Sequence, residues 1–281
     1  MAKTVGFIGL GAMGSSMAPH LAKAGYQVVG FDINAQLNSS KRFFQAKTLT
    51  ELLVSDVIIF VLPNGKIVSE VASRLVSLGL SALYIDMSSS NPIDTLSLFE
   101  KISSNGSTLI DAPVSGGVTR ARTAELAIMA GGNKKDIKIA KPLLSTMGEV
   151  KIAGCLGAGH AMKALNNYVS AAGLIASFEA LATARAFGIK PETFISIINS
   201  ATGRNNTTEV KLDRFVIAKT FNSGFSLDLQ TKDVAIADSL IRRFISENCF
   251  SEKVLNYLLT ASNTLQKGAD HTEIYRLVDK D

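Results

Sequence analysis

Val5-Gly6-Phe7-Ile8-Gly9-Leu10-Gly11-Ala12-Met13-Gly14 decides the fold of this chain. A short apolar run, Val5–Ile8, ends at a glycine, and Gly9, Gly11 and Gly14 then follow in GxGxxG spacing. Ser15–Ala24 has helical spacing and is closed by Gly25. A strand, a glycine turn and a helix in that order form a dinucleotide cradle. Gly9 permits the tight turn, Gly11 lets backbone approach a pyrophosphate, and Gly14 lets helix and strand pack closely. Ala12 and Met13 complete the turn, where unpaired N–H groups and the helix dipole favour an anion.

Working outward, Gln27–Phe31 reads as the next strand and stops at Asp32, 18 residues beyond Gly14. A carboxylate there accepts hydrogen bonds from adenosine ribose hydroxyls and repels a 2′-phosphate. Ile33 and Asn34 supply no arginine to neutralise one, so the expected cofactor is NAD rather than NADP. Asp56-Val57-Ile58-Ile59-Phe60-Val61-Leu62, halted by Pro63, is a near-continuous apolar run, which implies burial on both faces of a parallel sheet. Ala82–Asp86, Thr108–Ile110 and Leu126–Ala130 are further strand candidates.

The pattern changes after residue 158. His160–Phe187 has helical spacing without an internal proline, is ended by Gly188 and Pro191, and would run about 42 Å. The apolar pattern stays helical from there onward. The chain therefore reads as α/β: a Rossmann-type doubly wound sheet domain over residues 1–158, then an all-α domain over 159–281, joined by a long helix.

Composition excludes other classes. The chain has 281 residues, 47% apolar and 19% charged, with a net charge of +5 and no basic tract interleaved with aromatics, so neither disorder nor nucleic-acid binding is expected. Cys155 and Cys249 lack metal-ligand spacing, and His20, His160 and His271 are scattered, so no metal site is expected. The glycine-broken opening does not read as a signal peptide. Tyr168–Phe187 carries Glu179 and Arg185, which argues against a membrane span. The cytoplasm, or an organelle matrix reached by a lost targeting segment, is the expected location.

Three segments carry candidate chemistry. Asp111-Ala112-Pro113-Val114-Ser115-Gly116-Gly117 ends in a turn whose N–H groups would suit a carboxylate, although it reads equally as an ordinary turn. Lys163 and Asn167, four apart, share a face of the long helix. A lysine partly buried beside a cationic nicotinamide would lose basicity and suit proton transfer, but most helical lysines are solvated surface charges. Lys232, in Phe225–Asp233, either reaches towards the cofactor or is such a surface charge. A polar stretch, Thr202–Glu209, offers Arg204, Asn205 and Asn206 as selectors of a polar substrate, or as a loop with a helix cap.

In this order, FIGLGAMG, VLPN, IDMSSSNP, DAPVSGG, GAGHAMKALNN and Thr231-Lys232-Asp233 resemble the β-hydroxyacid dehydrogenase family, which includes 3-hydroxyisobutyrate dehydrogenase and tartronate semialdehyde reductase. The resemblance spans nearly the whole chain. It implies that Gly9, Gly11, Ala12, Met13, Gly14 and Asp32 bind NAD. Leu62, Pro63 and Asn64 would touch the cofactor, Ser88 and Ser89 would follow the next strand with Ser89 near the nicotinamide ribose, and Lys232 would contact the cofactor. It further implies that Ser115, Gly116 and Gly117 hold the substrate carboxylate, that Asn167 contacts substrate, and that Lys163 is the catalytic acid and base. The implied substrate is a short hydroxy acid and the implied assembly a homodimer or homotetramer. An imine reductase of the same architecture and a catalytically silent cofactor-binding regulator are the alternatives.

Overall fold

The computed structural model describes residues 4–247 and 249–279. The chain divides into two units, Met1–Lys163 and Ala164–Asp281.

In the first unit, β1 (Thr4–Ile8) pairs in parallel with β2 (Gln27–Phe31) on one side and β4 (Val57–Phe60) on the other. With β3 (Phe43–Gln45), β5 (Leu83–Asp86) and β6 (Thr108–Asp111) the parallel order is β3-β2-β1-β4-β5-β6, the doubly wound Rossmann order. The continuous apolar runs have a direct cause. Successive side chains point to opposite faces, and both faces are covered. Phe7, Ile59, Ile85 and Ile110 pack with Met17 and Leu21 of α1 (Gly14–Lys23). Ile8, Ile58, Phe60 and Tyr84 pack on the other face with Val68 and Leu75 of α2 (Gly65–Ser77) and Leu98 and Ile102 of α3 (Pro92–Ile102).

Beyond β6 the sheet changes direction. After β7 (Val114–Ser115) and α4 (Gly117–Thr123), β8 (Leu126–Gly131) runs antiparallel to β6 and β7. Then α5 (Lys134–Leu144) leads to β9 (Gly148–Gly154), parallel to β8. The strands β3, β7 and β9 are not expected from the sequence. Two are very short, and β9 is a largely exposed edge strand with no apolar run.

The long helix α6 spans Ala158–Ala186, 29 residues, starting in the first unit and ending in the second. The remainder of the second unit is helical among the described residues. It contains α7 (Pro191–Ser200), a π-helical segment Thr207–Ile217, α8 (Leu227–Phe244), α9 (Phe250–Thr264), a short 3-10 turn His271–Ile274, and α10 (Tyr275–Val278). Its core is a stripe of α6, Ala171, Leu174, Phe178 and Leu181, packed with Leu212, Val234, Val254 and Leu258. That three-and-four spacing is what an amphipathic helix presents to a core. No helix among the described residues is long and apolar enough to cross a membrane.

Candidate active site

The glycine turn has steric reasons for its composition. Gly9 has φ +100°, and a Cβ there would stand 2.1 Å from the Val61 carbonyl oxygen. A Cβ on Gly14 would stand 1.8 Å from the Gly9 carbonyl oxygen, so α1 can press against the turn only with glycine there. A Cβ on Gly11 would meet nothing within 4 Å, which leaves room over the loop for a ligand. Gly11 and Ala12 are exposed, and Met13, at the cap of α1, supplies no side-chain acceptor. The first N–H groups of α1 thus have no capping side chain, the condition for binding a phosphate. These residues fit a dinucleotide.

Asp32 follows β2 directly. Its Oδ2 accepts from Leu10 N at 2.6 Å, while Oδ1 accepts from Asn34 N at 2.8 Å and Ala35 N at 2.9 Å. Burial pushes its pKa up, but the N–H groups of Ala35, Asn34 and Leu10 outweigh this and hold it below the usual carboxylate value. Three of roughly four acceptor sites are filled, and the remaining one lies on Oδ2.

The next two strand ends carry the other expected cofactor residues. Leu62 and Asn64 are half-buried and Pro63 is exposed. Asn64 has a structural duty as well, since its Oδ1 accepts from Ile67 N at 3.0 Å and caps α2. Leu62 N donates to Ser88 Oγ at 2.9 Å, so Ser88 is buried and joins two turns, whereas Ser89 beside it is half-buried. Asp86, at the end of β5, accepts from Ser88 N at 2.9 Å and from Ser90 Oγ at 2.7 Å.

Ser115 closes β7, and Gly116 and Gly117 turn the exposed chain into α4 with φ +133° and +65°. Asp111, four residues earlier, is fully buried and anchors α6. Its Oδ1 accepts from Gly157 N and its Oδ2 from His160 N, both at 2.7 Å. Lys163 stands three residues beyond His160 on α6 and is half-buried.

In the second unit, Asn167 is buried and donates through Nδ2 to Asp233 Oδ2 at 2.6 Å, while its Oδ1 accepts from Asn166 Nδ2 at 3.1 Å. Lys232 Nζ lies 3.8 Å from Asp233 Oδ1. Within this unit, then, the helix motif and the Thr231-Lys232-Asp233 triplet meet. Of the polar stretch, Asn205 is a capping residue: its Oδ1 accepts from Thr207 N at 2.8 Å and its Nδ2 donates to Ser177 Oγ at 3.1 Å. Arg204 is exposed and pairs with Glu209 at 3.5 Å, and Asn206 is exposed. Local capping therefore explains the polarity of Asn205 without a substrate. Among the described residues no group of three or more His, Cys, Asp or Glu is arranged to hold a metal ion.

Asp86, Asp111, His160 and Asp233 are buried and hydrogen-bonded beside the predicted residues, and sequence reasoning gave none of them a role. A signal was available for two of them: Asp86 and Asp111 each end a largely apolar, mostly buried strand.

Residues 4–157 match the family model of the NAD binding domain of 6-phosphogluconate dehydrogenase. Residues 157–278 match the model for the NAD-binding region of NADP-dependent 3-hydroxyisobutyrate dehydrogenase. The mitochondrial 3-hydroxyisobutyrate dehydrogenase of Drosophila melanogaster is 36% identical over 252 residues, 85% of this chain and 78% of that one. This chain belongs to the β-hydroxyacid dehydrogenase family. A 2-(hydroxymethyl)glutarate dehydrogenase from Eubacterium barkeri is 35% identical over 243 residues, 83% of this β-hydroxyacid dehydrogenase and 80% of the relative. The solved Mycobacterium tuberculosis 3-hydroxyisobutyrate dehydrogenase with L-serine superposes with a TM-score of 0.90 at 28% identity, covering 99% of both chains. This β-hydroxyacid dehydrogenase is accordingly an oxidoreductase that uses a nicotinamide cofactor to act on the CH–OH group of a hydroxy acid.

Proposed function

We propose that the enzyme oxidises the hydroxymethyl group of a short 3-hydroxy acid with NAD, or reduces the matching aldehyde, with Lys163 as general base and acid. The observation that carries the reading is the setting of Lys163. It is half-buried, one turn beyond a helix start that Asp111 pins to the strand ends of the nucleotide domain. A lysine held there has the fixed position that proton transfer requires.

The nicotinamide, when bound, accepts or returns the hydride. The chain's own residues divide the remaining work. Gly9, Gly11, Ala12, Met13 and Gly14 receive the pyrophosphate, and Asp32 takes the adenosine ribose and disfavours a 2′-phosphate. Leu62, Pro63, Asn64, Ser89 and Lys232 contact the rest of the cofactor. Ser115, Gly116 and Gly117 hold the substrate carboxylate, which orients the carbinol, and Asn167 contacts substrate. Lys163, neutral when it acts as base, takes the hydroxyl proton during oxidation and returns it during reduction.

The relatives' names support a substrate class. 3-Hydroxyisobutyrate and 2-(hydroxymethyl)glutarate, in the relatives' names, share a hydroxymethyl on the carbon bearing a carboxylate, and the L-serine in the Mycobacterium tuberculosis structure has the same frame. We read this chain as acting on that frame, as a cytoplasmic homodimer or homotetramer. The oligomer is supported by α7, where no residue is buried and Ile197 is 61% exposed. The test is turnover with NAD and with NADP across 3-hydroxyisobutyrate, L-serine, glycerate, threonate and 2-(hydroxymethyl)glutarate. Oxidation of 3-hydroxyisobutyrate, L-serine, glycerate or 2-(hydroxymethyl)glutarate with a clear NAD preference is the expected result. Oxidation of threonate alone would overturn the hydroxymethyl frame. A silent panel from a protein that still binds NADH would overturn the proposed substrate class.

A further inference from the structure

We propose that His160 is a positioning residue: its imidazole, hydrogen-bonded to Thr95 of α3 and packed between Asp86 and Asp111 at the ends of β5 and β6, fixes the first turn of α6 and so sets the place of Lys163. This rests on the reading of Lys163 as the acid and base.

The ring is 1% exposed and four elements converge on it. Its Nδ1 lies 2.8 Å from Thr95 Oγ1 of α3 and 3.8 Å from Asp111 Oδ2 at the end of β6. Its Nε2 lies 3.6 Å from Asp86 Oδ2 at the end of β5, and the residue itself sits in α6. Strand register brings the two carboxylates together, because Asp86 pairs directly with Asp111. Two glycines leave space for Asp111. A Cβ on Gly131 would stand 2.6 Å from Asp111 Oδ1, and one on Gly159 would stand 2.8 Å from Asp111 Oδ2.

Each carboxylate is already committed to backbone. Asp111 caps α6 through Gly157 N and His160 N, where the helix dipole favours a negative charge. Asp86 orders Ser88 and Ser90, and Ser88 holds Leu62 N. Hydrogen bonds thus run from the Leu62 turn through Ser88 to Asp86 and from Asp111 to the start of α6. The His160 ring stands between the two carboxylates, bonded through Nδ1 to Thr95, while its buried Nε2 makes no hydrogen bond among the described residues. Burying two carboxylates is costly, and apolar packing of similar volume is often no less stable. What a polar joint adds is a fixed geometry, and Lys163 is three residues further along the same helix. Proton transfer responds sharply to such geometry, since a 1 Å misplacement costs about 100-fold.

His160→Leu keeps volume and removes both ring nitrogens, whereas His160→Gln keeps one polar donor and one acceptor. Kinetics are read with the panel acid that the wild-type enzyme oxidises fastest, cofactor binding by NADH fluorescence, and folding by thermal unfolding. The expected result is a kcat lowered about 10- to 100-fold in His160→Leu with NADH affinity within about 3-fold, and recovery to within about 5-fold of wild type in His160→Gln. Combined with Lys163→Ala, His160→Leu should cause no further loss, because it acts through that lysine. Wild-type kcat in His160→Leu, a fully additive double variant, or a folded His160→Gln as impaired as His160→Leu would each overturn the proposal. If His160→Leu does not fold, His160→Asn replaces it. Its shorter amide should lose kcat where His160→Gln does not, and equal behaviour of the two would overturn the role. Full turnover in Lys163→Ala would instead overturn the reading beneath it, whatever His160 does.

Discussion

Leu10 N donates to Asp32 Oδ2 at 2.6 Å, so the acid at the end of β2 is tied to the glycine turn that follows β1. Asp32→Ala should therefore weaken the turn as well as its proposed cofactor contact. Stability should fall by about 1–2 kcal/mol, measured by thermal unfolding. The KM for NAD should rise at least about 10-fold and the preference over NADP should narrow. An unchanged ratio of NAD to NADP turnover would remove Asp32 from cofactor selection.

The same residue gives an acid-side signature. Burial opposes its ionisation, but the Ala35, Asn34 and Leu10 N–H groups more than offset this, so its folded pKa lies below the unfolded one. Such a group stabilises the fold above its unfolded pKa, and the contribution is lost as pH falls through the folded pKa. The difference in unfolding temperature between wild type and Asp32→Ala should be flat above about pH 5 and shrink in stronger acid. A difference that grows on acidification would contradict the assignment.

Lys163→Ala should lower kcat by about 10²- to 10⁴-fold while leaving NADH affinity within about 3-fold. Lys163→Arg should not restore turnover, because a guanidinium does not release its proton in the working range. Steady-state rates together with NADH fluorescence titration separate these outcomes. A well-folded Lys163→Ala enzyme with near-normal turnover would dismiss the acid and base role.

Asn167 and Asp233 are both buried and bonded at 2.6 Å. Removing the acceptor in Asp233→Ala leaves a buried amide without its partner, at a cost of about 1–3 kcal/mol. If Asn167 serves substrate, the substrate KM should rise at least about 5-fold in the same variant, more than the KM for NAD. Equal changes in both would show a general loss of structure instead.

Lys211 is buried beside Ser170, with Nζ 3.5 Å from that hydroxyl, and burial pushes its pKa down to about 8 despite Asp270 nearby. The fold bears the cost of this charge below pH 8, and the cost disappears as pH rises towards the unfolded value of 10.5. Lys211→Met should thus stabilise the neutral-pH enzyme by about 1–3 kcal/mol, with the advantage fading between pH 8 and 10. Melting both proteins across that range cancels the titration of the tyrosines they share. A pH-independent difference would argue against a buried ammonium.

The glycine turn, the acid after β2 and the continuous apolar runs were legible in the sequence because each is a local requirement. A turn at Gly9 with φ +100° and a helix packed against it at Gly14 exclude any Cβ, and a two-faced parallel strand such as Val57–Phe60 excludes polar residues. The uninterrupted helical spacing of α6 was equally local. These features determined the Rossmann unit, the helical unit and the order in which they occur.

Only the tertiary structure decides which polar residues are buried against one another. Asp86 and Asp111 end two separate strands, and only parallel register sets them side by side next to His160. Asn167 and Asp233 lie on different helices and meet only through packing. Conversely, Asn205 and Asn64 looked available in the sequence, yet both spend a side-chain oxygen on a helix cap. The physical reason is range. Propensity and steric exclusion act over a few residues and mark the sequence where they act, whereas a buried polar group must find its partner wherever the folded backbone brings one within hydrogen-bonding reach.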